Sequence, residues 1–166
     1  METNNLPTIV PAPSATLKQI RMDSAKFPRI SSYTKSDAVG CLTQLITVCL
    51  MYKGMNPDDY KIAYTAGMLY DEIMQDNDGL GLPSLSFEEV RRVFRKCVLG
   101  QGRELFGVNV ASLYAALCDY AKGEGHLAQL EANTAVKLAR KAMEKETGAS
   151  VMMDVYAARM IRKNNQ

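Results

Sequence analysis

Tryptophan is absent from this chain of 166 residues, histidine occurs once, and cysteine only four times. One histidine cannot build a multi-histidine metal site. Cys41, Cys49, Cys97 and Cys118 are too few and too scattered for a disulfide scaffold in a chain this long. No apolar run approaches the ~20 residues that a membrane span needs. The first residues, Met1-Glu2-Thr3-Asn4-Asn5, contain no basic stretch, and Pro7, Pro11 and Pro13 interrupt the apolar run that follows. A secretory leader is therefore not expected, and the expected location is cytoplasmic. There the four cysteines are reduced thiols. Each lies among apolar neighbours, so each is expected as a small buried hydrophobe.

The sequence does contain material for one folded domain. Hydrophobic residues make up 47% and charged residues 23%, close to ordinary globular usage. The length is enough to bury a core without metal or disulfides. The net charge of +2 hides an uneven distribution. Residues 1–35 carry five Lys/Arg against two acids, while residues 36–85 carry two against seven. Residues 86–105 and 124–166 are basic again, so an acidic centre lies between basic ends.

Helical spacing dominates the pattern, without strand-like alternation or a long repeat. Residues 1–33 read as a flexible arm, in which Lys18, Arg21, Lys26 and Arg29 interleave with Leu17, Ile20, Phe27 and Ile30. Such an arm can fold onto a partner or dock on its own domain. Thr34-Lys35-Ser36-Asp37 resembles a capping box ahead of Leu42, Leu45, Ile46, Cys49 and Leu50. Asn56-Pro57-Asp58-Asp59 is expected to open a second helix, capped by Asn56. That helix carries a broad stripe from Tyr60 to Met74, where Gly67 is read as allowing a close helix crossing. Leu85-Ser86-Phe87-Glu88-Glu89-Val90 is the strongest start signal, a capping box with a hydrophobic staple. Gly100 and Gly102 end that helix. A fourth helix starts at Asn109, Gly123 and Gly125 separate it from a fifth over about 126–146, and Gly148 with Ser150 opens a terminal one. The expected fold is all-α, a bundle of five to six helices over residues 34–163.

Each motif with a chemical reading also has a plainer one. Asp76-Asn77-Asp78-Gly79-Leu80-Gly81 looks like a calcium loop, but Leu80 and Phe87 fall where ligands are needed. A turn between helices is the expectation. Gly100-Gln101-Gly102 lacks both the third glycine and the preceding strand of a dinucleotide motif. His126 reads as a helix-start residue, and the pairs Asp58-Asp59 and Glu88-Glu89 sit at helix starts where capping explains them. No catalytic residues, metal or cofactor are expected. Arg91, Arg92, Arg95 and Lys96 form two basic rows at four-residue spacing, with Arg103 following on the loop. Together these five are the candidate contacts for phosphate or an acidic partner, with an ordinary solvated face as the alternative.

Residues Leu85 to Arg95, then Gly100-Gln101-Gly102, then Phe106-Gly107-Val108-Asn109-Val110, ending near Tyr120, carry a resemblance. This stretch, about 85–122, resembles small helical proteins of Bacteroidetes phages and integrated elements. Some of these are similar to replication accessory proteins of the helicase-loader or replisome-organiser type. The resemblance implies a non-enzymatic accessory role through protein contact, and DNA contact is left open. It implies Arg91, Arg92, Arg95 and Arg103 as contact residues. Phe94, Gly100, Gly102, Phe106, Gly107 and Asn109 would shape the helix–loop–helix unit, although Phe94 and Phe106 also read simply as core residues. The implied partner is a replicative helicase. The alternatives are an adaptor or inhibitor of a host protein, and a self-associating protein without DNA binding. No membrane partner is expected.

Overall fold

The computed structural model describes residues 15–56, 58–105 and 109–164, and from residue 148 onward it describes the helical backbone alone. Among the described residues the regular structure is helical apart from one isolated bridge, Arg29 to Ser86. The helices are α1 (Leu17–Met22), α2 (Lys35–Tyr52), α3 (Asp59–Gln75), α4 (Phe87–Val98), α5 (Val110–Tyr120) and α6 (His126–Asn164). The all-α expectation stands. The chain divides into two units, residues 1–129 and 130–166, rather than the single domain over 34–163 expected from sequence.

In the first unit, α2 to α5 bury their apolar stripes in one core. The helix of Thr34 to Asp37 starts as expected, with the Thr34 hydroxyl oxygen accepting from the Asp37 amide. Ala38, Cys41, Leu42, Leu45, Ile46 and Cys49 form its buried stripe at spacings of three and four. In α3, Ile62, Ala66, Leu69 and Ile73 do the same. Its cap differs from expectation. Asp58, not Asn56, accepts from the Lys61 amide, and Pro57 lies outside the described residues. Either side chain can satisfy an orphan amide, so the sequence alone does not choose between adjacent caps. Gly67 also departs from expectation. A Cβ placed there would meet nothing within 4 Å, so among the described residues of this unit no helix crosses closely at this point.

The arm expected over residues 1–33 is corrected in its second half; residues 1–14 lie outside the described residues. Thr16 and Gln19 form a full capping box for α1, and Ile20, Phe27 and Ile30 are buried. The Ile30 amide donates to the Leu85 carbonyl at 2.8 Å. This segment therefore docks on its own domain. Burial of three large apolar side chains outweighs the Pro28 signal that interrupts helix but not packing.

Two expected breaks are also corrected. Gly123 and Gly125 do not separate helices but lie in a π turn, Ala121–Gly125, that joins α5 to α6. Gly125 sits in a tight space there. A Cβ would sit 3.0 Å from Tyr120 Cε1, 3.1 Å from the Tyr120 carbonyl oxygen and 3.2 Å from an Arg21 guanidinium nitrogen. Gly148 does not stop α6, which runs unbroken past Ser150. A glycine inside a helix costs about 1 kcal/mol relative to alanine but keeps its N–H and makes no clash. The second unit, residues 130–166, contains the greater part of α6 and no other described element.

All four cysteines are buried as free thiols, as expected. Burial raises the Cys49 thiol from its ordinary 9.0 to about 11. A group held protonated by folding stabilises fully below its unfolded value and loses that contribution as pH rises through the folded value. Urea unfolding at about pH 8 and about pH 10.5 should therefore show the native state weakening by about 2 kcal/mol from this thiol. Cys49→Ala should flatten that alkaline slope. An unchanged slope in the variant would mean that the thiol titrates as in water.

Candidate functional site

Helix α4 carries the site residues expected from sequence, and its start follows the reading closely. The Ser86 hydroxyl oxygen accepts from the Glu89 amide, and the Ser86 amide donates back to Glu89 Oε2 at 2.8 Å. Leu85 and Val90 are both buried, as the staple requires. Val93, Phe94 and Cys97 continue the buried stripe.

The basic rows flank this stripe, but most of their charge is already used. Arg91 grips Glu88 with two bonds, Nε to Oε2 at 2.9 Å and a terminal nitrogen to Oε1 at 2.7 Å. The Glu88 bond holds the Arg91 guanidinium above its ordinary pKa. Arg92 also reaches Glu88, at 3.4 Å, and donates to the Ala15 carbonyl. Lys96 pairs with Glu124, and Arg103 pairs with Asp119 at 2.7 Å. Arg95 is exposed, and its side chain makes no ion pair among the described residues. The five candidate residues thus share one region without forming a free basic patch. Nor is helix capping the whole explanation of Glu88-Glu89, because both side chains are buried among arginines.

The loop-shaping residues divide similarly. Gly100 takes φ of +69° just past α4. The Gly100 amide bonds the Cys97 carbonyl and the Gln101 amide bonds the Lys96 carbonyl, a Schellman closure that needs the left-handed residue. Gly102 lies close to Cys97, where a Cβ would come within 3.4 Å of Sγ. Asn109 caps α5, accepting from the Ser112 amide at 2.9 Å. Gly107 and Phe106 lie outside the described residues.

Sequence reasoning missed a buried ionic cluster among the described residues. Glu89 is 0% exposed, and its carboxylate meets two arginines of the N-terminal segment. Arg21 Nε lies 2.6 Å from Oε1, and Arg29 reaches Oε2 at 3.6 Å. Tyr120 donates its hydroxyl to Oε1 at 2.8 Å. Burial first, then the Glu89 charge, pushes the Tyr120 phenol far above its ordinary value, so it remains a donor. Desolvation lowers the Arg29 guanidinium. Arg29 also donates to the Arg21 carbonyl at 2.6 Å. The cluster joins α1, the start of α4 and the end of α5. The sequence signal available was two arginines interleaved with apolar residues, far along the chain from the glutamate they meet.

The remaining motifs take their plainer readings. The Asp76 carboxylate accepts from the Leu80 and Gly81 amides, which fixes a turn. His126 is exposed at the start of α6. Among the described residues, no group of three or more His, Cys, Asp or Glu is placed to hold a metal ion, and no helix is long and apolar enough to cross a membrane. Comparison with protein-family models, with curated proteins and with solved structures finds no match for this chain.

Proposed function

We propose that the protein is a non-catalytic, cytoplasmic accessory factor that works by holding a protein partner, in the manner of phage or mobile-element replication proteins. The resemblance over residues 85–122 supplies the partner class, a replicative helicase. The observation that carries the reading is a group of large apolar side chains exposed at the end of α2. Met51 is 64% exposed and Tyr52 68%, with Val48 and Met55 also exposed beside them. Protein interfaces concentrate methionine and tyrosine, and methionine adapts its shape to a partner.

DNA is the weaker target. A phosphate approaching Arg91, Arg92, Lys96 or Arg103 must compete with a carboxylate already in place, which leaves Arg95 as the uncommitted charge. A host protein captured by a mobile N-terminal arm is likewise less supported, because residues 15–33 are docked. The test is capture of a replicative helicase by the full chain, with a duplex gel shift at about 50 mM and about 300 mM salt. Helicase capture should fall at least about tenfold in Met51→Ser/Tyr52→Ser, as for central apolar contacts. Duplex retardation should be weak at low salt and lost at high salt. Failure to bind either helicase or DNA at low salt overturns the reading.

A further inference from the structure

The outward side of α3 has a character that the core does not explain. Opposite its buried residues, Tyr60, Tyr64 and Met68 are exposed, Tyr60 at 82%. Gly67 lies among them. Glycine weakens a helix interior, and the open space around this one shows that packing among the described residues does not require it. What glycine does allow is close approach by another backbone. A second helix is the element that fits such a line of side chains.

Charge narrows the choice of helix. Residues 58–78 hold six acids and a single base, Lys61. A second α3 laid against this face would set acid against acid, so a basic helix is favoured. The chain itself carries one. Residues 130–164 hold seven Lys/Arg against four Asp/Glu.

The two helices also match in spacing. On α3, Tyr60, Tyr64, Met68 and Asp71 follow at intervals of four, four and three. On α6, Leu130, Thr134, Leu138 and Lys141 follow at the same intervals, and all four are exposed, Leu138 at 63%. In a parallel arrangement Leu130 meets Tyr60, Thr134 meets Tyr64, Leu138 meets Met68, and Lys141 meets Asp71. Lys141 makes no ion pair among the described residues, whereas Asp71 holds an exposed pair with Lys35 at 2.6 Å. Exposed pairs of that kind exchange partners at little cost.

We infer that α6 of one copy docks in parallel on α3 of a second copy, so that the chain self-associates through these two faces. This contact uses different residues from the partner site at the end of α2 and does not rest on it. Sedimentation of the full chain from about 1 µM to about 100 µM, at about 50 mM and about 500 mM salt, tests it. Mass should rise with concentration and fall with salt. Asp71→Lys and Lys141→Asp should each weaken association about tenfold, and the double variant should restore it. The restoration separates the proposed contact from the loss of the Lys35 pair. Circular dichroism of each variant checks that the helices remain. Gly67→Ala should raise the melting temperature while weakening association. A monomer throughout the concentration range overturns the inference. So does association that ignores both charge reversals or is not restored by the double variant. Helicase capture by Met51 and Tyr52 is read separately, so either proposal can fail alone.

Discussion

Glu89→Ala is expected to cost about 3–5 kcal/mol. The carboxylate is fully buried and faces Arg21 and Arg29. Its removal leaves two guanidinium groups with little water and no counter-charge. It also leaves the Tyr120 hydroxyl without its acceptor and removes the return bond of the α4 capping box. Against a typical total of about 5–15 kcal/mol, such a loss brings the native state close to its limit. Urea denaturation measures it, and hydrogen exchange locates it. The Ile20 and Ile30 amides should lose protection first, because the cluster holds their segment to α4. Replacing Arg21, Arg29 and Glu89 together with apolar residues should cost much less, since no unpaired charge remains. A loss below about 1 kcal/mol in Glu89→Ala would show that water reaches the cluster and solvates it.

Phe94→Ala is expected to cost about 3–5 kcal/mol through lost burial and the cavity left behind. Phe94 is 1% exposed and lies among the largest fully buried side chains. Its neighbour provides the contrast. Arg95 is exposed, and Arg95→Ala should change stability by about 0.5 kcal/mol or less. The pair thus separates core from surface within one helical turn. Partner capture by Phe94→Ala should fall only as far as its folded fraction falls. A stable Phe94→Ala protein that no longer captures partner would instead make this ring a contact residue.

The helix starts were the most legible part of the fold. Thr34, Ser86 and Asn109 each cap where the local pattern placed them, because a cap is decided by a side chain and an amide three residues apart. The ends around glycine were less legible. Gly100 closes α4 as expected, yet Gly123 and Gly125 lie within a continuous helical path and Gly148 within α6. A glycine permits a break but does not impose one. At Gly125 the space is limited by the ring and carbonyl of Tyr120 and then by the Arg21 side chain, which belongs to a segment more than 100 residues earlier. The candidate basic site was legible as a list of residues but not as a charge. Arg91 and Arg92 have a local partner in Glu88, but Glu124 and Asp119, which neutralise Lys96 and Arg103, come from later helices.

By itself, the sequence determined that this protein is all-α, which residues cap α2, α4 and α5, and that its cysteines lie inside. Those properties follow from intervals of three and four residues, which one helix settles alone. Only the tertiary structure decided that residues 15–33 are part of the folded unit, that Glu89 is the centre of a buried ionic cluster, and that Gly67 faces open space. These depend on which distant surfaces meet. Burial and pairing energies between elements are set by that meeting, and no local spacing encodes it.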